Sequence, residues 1–329
     1  MSPDEYNYGV ARIRALEARM LTPAQTARMS AAPDFQSAFA VLSETTYSEK
    51  LPRLKVPFDF EELFELELIS LKQLFDRLAP ANELITALFK KYDFLNLKTI
   101  MRDFILNDKN PGKYSRAGTI DPAKLNLFVF EGIRDFEDKN IVKAVEQIKA
   151  GLDKNTDAQL VDNILDKSYY KYLKHTYQTC PSPLVQNLAN HIIDLINIKI
   201  VLRTKELNQL KEFLLEPGLI DKDILIGLFE KSGQDIITKL SYTPYLPALA
   251  SGLEYLGKNN SFYLLEKLMD NFTISQFKTA KYISSGIEPL VGFYLAKENE
   301  IKTLRFILIS QKSNISTEQI KERLRLSYV

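Results

Sequence analysis

Two histidines, His175 and His191, and a single cysteine, Cys180, are the only soft metal ligands in the sequence. No CxxC or HExxH spacing joins them, and a structural zinc site needs four ligands. Cys180 is followed by Pro181, not by the glycine-rich context of a nucleophile elbow, so a packed or surface cysteine is the better reading. No GxGxxG or GxxxxGK[ST] phosphate cradle occurs. The nearest fragment, Gly257-Lys258-Asn259, lacks both the first glycine and the hydroxyl. Adjacent acids such as Glu61-Glu62 indicate a solvated helix face rather than acid–base work. The 19 Phe and 16 Tyr fall at helical spacing without a basic groove, which favours core packing over base stacking. The sequence therefore presents no catalytic residue, no cofactor or metal site and no small-molecule substrate.

A repeated cationic pattern stands out instead. Asn96-Leu97-Lys98-Thr99-Ile100-Met101-Arg102, Asn197-Ile198-Lys199-Ile200-Val201-Leu202-Arg203 and Asn299-Glu300-Ile301-Lys302-Thr303-Leu304-Arg305 share an Asn…Lys…Arg order, roughly a hundred residues apart. Lys98 and Arg102, and Lys199 and Arg203, stand one helical turn apart; Lys302 and Arg305 are three apart. Like charges at such spacing repel by a few tenths of a kcal/mol. Their repetition points either to acidic partners or to a solvated face. Lys98, Arg102, Lys199, Arg203, Lys302 and Arg305 are the candidate interface or inter-domain residues.

The elements that carry them are helical. Apolar residues recur at 3.6-residue spacing from Ile13 to Leu21, Phe58 to Leu78, Leu84 to Leu106, Ala158 to Tyr177, Leu184 to Leu207, Asp223 to Leu240, Phe262 to Asn271, Ile287 to Ile309 and Thr317 to Tyr328. Period-two alternation is almost absent, and the expected fold is all-α. Ser316 is a candidate N-cap. Thr22-Pro23 and Glu216-Pro217 read as helix starts or stops, and Asn110-Pro111-Gly112 as a loop. A second repeat precedes each cationic helix: Leu42-x-x-Thr45-x-Tyr47-x-x-x-Leu51, Leu240-x-x-Thr243-x-Tyr245-x-x-x-Leu249, and a weaker Leu165-x-x-Ser168-x-Tyr170. The spacing is too long for a solenoid. It suits three similar domains: residues 1–115, 116–215 and 216–329.

Bulk properties narrow the class. The chain is 45% hydrophobic and 26% charged, enough to bury a real core. Its net charge of +1 does not call for nucleic acid. One cysteine excludes an internal disulfide, which fits a reducing compartment. No signal peptide is visible at the start, and no stretch approaches about eighteen uninterrupted apolar residues, so no membrane span is expected.

Four motifs resemble the C-subunit family of V/A-type ATPases, which includes the eukaryotic d subunit. They are Tyr8-Gly9-Val10-Ala11-Arg12-Ile13-Arg14-Ala15-Leu16-Glu17, the Leu42–Leu51 tyrosine element, Asp93-Phe94-Leu95-Asn96-Leu97-Lys98 with Arg102, and Pro289 to Ile301 with Leu304-Arg305 and the closing Tyr328-Val329. The least distinctive stretch is about Asn107 to Gln186. The resemblance implies three helical domains in a pseudo-threefold funnel. It implies a non-catalytic member of the central stalk, one copy per complex and monomeric in isolation, seated peripherally on the cytoplasmic face of the membrane. Its partners would be the central axle subunits in the hollow and the membrane proteolipid ring at the base, so that rotation is coupled to H+ or Na+ transport. The competing reading is a free cytoplasmic helical scaffold that binds a partner protein.

Overall fold

The structure is a computed structural model that describes residues 6–108, 112–152 and 158–328. The described residues contain helices and turns and no strand. Of the Asn110-Pro111-Gly112 loop signal, Asn110 and Pro111 lie outside the described residues, as does Val329. The chain packs as two compact units, one built from residues up to Leu74 together with those from Glu230 on, the other from Phe75–Phe229.

The first unit begins with α1 (Asn7–Glu17), α2 (Pro23–Ser30) and α3 (Phe35–Ala40), then three 3-10 turns over Val41–Glu44, Thr46–Glu49 and Leu51–Arg53. Thr22 and Gln25 close a full capping box at the start of α2, with Pro23 in its first turn, so Thr22-Pro23 is a helix start. Next comes α4 (Phe60–Leu78), within which the unit ends. The second unit holds α5 (Glu83–Leu106), α6 (Pro122–Glu131), α7 (Lys139–Ala150), α8 (Ala158–Gln178), α9 (Pro183–Arg203), α10 (Leu207–Phe213) and α11 (Lys222–Ile226). The first unit resumes with α12 (Gly233–Lys239), α13 (Leu246–Asn259), α14 (Tyr263–Phe277), a 3-10 turn at Lys278–Tyr282, α15 (Glu288–Lys312) and α16 (Thr317–Arg323).

Two sequence expectations change in detail. The segment from Asp223 to Leu240 is two short helices, α11 and α12, because Glu230 takes a left-handed backbone (φ 55°) and Ser232 starts a new cap. The periodic run from Thr317 to Tyr328 stops at Arg323. Leu326 there gives its N–H to Asn271 and its carbonyl to Asn299, so residues 324–328 run extended instead of closing a helical turn.

In the first unit α15 is the central element. Leu290 to Ala296 are buried all round, as a helix packed on every side requires. α1, α2, α3 and α14 pack around it. Gly292 admits the hydroxyl of Tyr328; a Cβ there would lie 2.9 Å from it. Arg14 on α1 donates to the carbonyls of Ala280 and Ile283 (2.6 and 2.8 Å) and pairs with Glu17 at 2.7 Å. The conspicuous residues of the opening and closing motifs thus meet in one place.

In the second unit α8 packs on α5, α7 and α9, and α6 on α5. Two of its long helices, α5 and α9, each hold an extended return segment. Asp93 on α5 accepts from the N–H groups of Thr119 (2.8 Å) and Ile120 (3.0 Å), and Asn96 makes a two-way amide pair with Ser115 (2.7 and 2.8 Å). On α9, Asp194 accepts from Gly218, Leu219 and Ile220, and Asn197 from Leu215 at 2.9 Å. An extended buried segment with no sheet partner must find such acceptors. Gly118 and Gly218 allow the close approach, since a Cβ would come within 2.1 Å of Asp93 and 2.5 Å of Asp194. Glu216-Pro217 belongs to this second return segment, not to a helix end.

Candidate functional site

The three cationic helices are α5, α9 and α15. Each carries a buried asparagine, Asn96, Asn197 or Asn299, that bonds the backbone of a segment 19, 18 or 27 residues further on. The first two of these segments start near Ser115 and Leu215. The asparagine of each motif is therefore a tether.

The lysines and arginines that follow it point elsewhere. Lys98, half-buried, pairs with Asp166 of α8 at 2.7 Å. Burial raises the Asp166 pKa, and Lys98 only partly offsets this. Arg102 is exposed and makes no hydrogen bond or ion pair among the described residues. Lys199 is half-buried and Arg203 exposed. Lys302 reaches Asp270 on α14 at 3.2 Å, where Arg325 also binds at 2.6 Å. Burial pushes Asp270 up, but these two cations outweigh it, and its pKa lies below the ordinary carboxylate value. Arg305 grips Glu61 of α4 with two bonds of 2.8 Å while its guanidinium lies 5.3 Å from the Phe64 ring centroid. Lys98, Lys302 and Arg305 are thus each matched to an acid on another helix of their own unit.

A stronger charge cluster lies inside the first unit; the sequence repeats contained its Tyr47 and Glu300 but singled out neither as a charge site. Lys297 Nζ sits 2.5 Å from Glu300 and 2.7 Å from Glu67, and Lys50 Nζ lies 2.7 Å from the other Glu67 oxygen as an ion pair. Tyr47 donates to Glu300 at 2.9 Å, and Leu21 N–H to the second Glu300 oxygen at 2.8 Å. Two cations meet two anions, so the buried set is neutral. Burial alone would lower the Lys297 pKa; Glu300 and Glu67 reverse this and hold it well above the ordinary lysine value. Glu67 is pushed up by burial yet ends below its ordinary value because of Lys297 and Lys50. Tyr47 is driven up by burial and by the two glutamates.

The tyrosine element recurs in structure as well. Thr45 Oγ1 donates to the Leu42 carbonyl at 2.7 Å, and Thr243 Oγ1 to the Leu240 carbonyl at 2.7 Å, with Tyr47 and Tyr245 both fully buried. The weaker copy differs, because Leu165, Ser168 and Tyr170 lie within the uninterrupted helix α8. Of the residues considered for chemistry, His191 and Cys180 are buried and His175 exposed, and burial lowers the His191 pKa. Lys258 ends α13 paired with Glu254 at 2.6 Å. No group of three His, Cys, Asp or Glu residues is placed to hold a metal among the described residues.

One large groove, of about 590 Å³, opens in the second unit between α7, α8 and the segment after α10. Its floor is apolar, with Ala144, Ile164, Leu214 and Pro217, and its rim carries Lys143, Lys171 and Lys222.

This helical architecture and its three asparagine tethers occur in a chain that belongs to the ATP synthase (C/AC39) subunit family, whose profile matches residues 9–323. The chain is thus a non-catalytic, structural stalk component of a rotary ATPase that transports ions. Its relatives include the C subunit of the A-type ATP synthase of Methanocaldococcus jannaschii, 25% identical over 97% of this chain and 86% of the relative. The C subunit of the V-type sodium ATPase of Enterococcus hirae is 23% identical over 98% of this chain and 99% of its own length. The C subunit of the A-type ATP synthase of Pyrococcus horikoshii is 23% identical, covering 96% and 89%. No helix among the described residues is long and apolar enough to cross a membrane.

Proposed function

We propose that this chain is the socket between the central axle and the proteolipid ring of a V/A-type ATPase, on the cytoplasmic face of the membrane. One copy serves each complex and passes rotation between ATP turnover and the movement of H+ or Na+. The observation that carries this reading is the match along nearly the whole chain to full-length C subunits of both A-type and V-type enzymes. The repeated tethers of α5, α9 and α15 support a threefold origin with divisions near residues 115 and 215. On this reading Arg102 and its counterparts Arg203 and Arg305 lie at or beside docking surfaces. Moving an ion through about 150 mV is worth roughly 3–4 kcal/mol. With several ions per ATP, a step transmits on the order of 10 kcal/mol, and an exposed ion pair supplies only about 0.2–1 kcal/mol. Broad surfaces must therefore share the load.

The test is an affinity pull-down of the tagged chain from detergent-solubilised membranes, scored for the ring proteolipid and the axle subunits. Recovery of both supports the socket. Recovery of the chain alone in the soluble fraction favours the free scaffold.

A further inference from the structure

The groove of the second unit has an internal counterpart that shows what is missing from it. In the first unit, Lys267 on α14 donates to the carbonyl of Glu322 in the last turn of α16, and Tyr263, one turn earlier, donates to the same carbonyl at 3.0 Å. In the second unit, Lys167 on α8 donates to the carbonyl of Glu212 in the last turn of α10, and Asn163 donates to it at 3.1 Å. Each pair of donors stands one hundred residues from its counterpart. Cations at a helix C-terminus satisfy its free carbonyls and oppose its dipole. The two sites are one device built twice.

Their surroundings differ. In the first unit the partly buried Tyr263 ring stands at this position, packs edge-on to Tyr255 at 6.0 Å, and carries the guanidinium of Arg323 at 4.8 Å. Gly252 lets α13 press against Leu265 of α14, where a Cβ would fall 2.6 Å from the leucine side chain. In the second unit the short Asn163 stands at that position and lines the 590 Å³ groove. Lys171 pairs with Glu216 at 2.9 Å, and Lys167 is engaged with Glu212. Lys143 and Lys222 are exposed on the groove and make no hydrogen bond or ion pair among the described residues.

We propose that this groove receives an acidic, partly apolar segment of a partner protein, with Lys143 and Lys222 pairing its carboxylates and the floor covering its apolar side chains. Charge complementarity favours an acid, since four lysines face two glutamates along the lining. The apolar floor favours a polypeptide over a bare anion, and Glu212 and Glu216 at the edge disfavour a dense polyphosphate. The site adds a partner contact to the socket and does not depend on the socket reading.

The test uses the full chain in native membranes, with Gln147 on the groove replaced by the photo-cross-linker benzoylphenylalanine. Illumination followed by mass spectrometry should give an adduct with an acidic segment of another protein. The yield should fall about tenfold or more in Lys143→Glu/Lys222→Glu and persist in Lys143→Arg/Lys222→Arg. Circular dichroism should be unchanged in both. No adduct, an adduct to a neutral or basic segment, an adduct within the same chain, or a yield indifferent to charge reversal overturns the proposal. So does binding of the purified chain to phosphatidylserine vesicles that the Glu pair abolishes, which would make the groove a lipid site. An acidic adduct on a chain that fails to recover the proteolipid would keep the groove and discard the socket.

Discussion

At the scale of single residues, burial separates the charges that hold the fold from those that are spare. Lys297 pairs with two buried carboxylates, so Lys297→Met leaves Glu67 and Glu300 with Lys50 as their remaining cation in the interior. Breaking one partner of a buried ionic set costs about 3–5 kcal/mol, and urea unfolding should show a loss of that order. Arg305→Ala should cost less than about 1 kcal/mol, because Arg305 and Glu61 are 37% and 48% exposed and water screens them. Arg102→Ala should leave the melting temperature unchanged, since nothing among the described residues holds the side chain; a weaker hold on the assembled complex in the pull-down would mark it as a contact residue. Asp93 is a different case. Burial pushes its pKa up to about 6, against the bonds from Thr119 and Ile120 that favour the anion. A carboxyl raised in the fold contributes most below its ordinary value of 3.8 and loses that contribution as pH rises through about 6. The stability of the wild type relative to Asp93→Asn should therefore increase as pH falls from about 6 to 4, read from denaturation midpoints at each pH.

At the scale of elements, the return segments depend on glycine. Gly118→Ala and Gly218→Ala both drive a methyl into the carboxylate that anchors the segment, and overpacking of this kind costs about 1–3 kcal/mol. Gly257→Ala is the control: it lies within α13 with nothing within 4 Å of its Cβ position, and should stabilise by about 0.5–1 kcal/mol. The long helices were legible because their apolar period runs for five or more turns, as in α5, α8, α9 and α15. The sequence repeat also marked Asn96, Asn197 and Asn299, though it pointed to the following arginines as the feature of interest. Short helices such as α6 and α7 are not marked by the apolar period, since about three turns carry few periodic positions and depend on caps such as Asp121 and Asp138. The buried cluster was invisible for another reason. Lys50, Glu67, Lys297 and Glu300 come from three distant stretches, and charged residues on helices read as solvated until packing encloses them. The groove rests on the same kind of information, because Asn163 in place of Tyr263 becomes meaningful only when α8 and α14 are seen to perform the same task.

At the scale of the whole molecule, the proposed role makes a prediction about additivity. Single alanines on a broad docking surface should be tolerated, while several together should uncouple ATP turnover from ion movement in reconstituted vesicles, with the detached catalytic head still active. A single surface alanine that stopped hydrolysis in that head would contradict a coupling role. The division of the chain has a further effect, on how the protein is made. The first unit is closed by α15, yet its partners α1, α2 and α3 are the earliest helices to be synthesised. At about 5–20 residues per second, the ribosome adds the central helix on the order of 10–60 s after Ile13. Until α15 appears, α1, α2 and α3, with Ile13 and Met29, lack the cover it provides, whereas the continuous Phe75–Phe229 stretch is complete and free to fold before α15 is made. Nascent chains stalled between Glu230 and Glu288 should consequently engage chaperones through their first helices, and release should coincide with the emergence of α15.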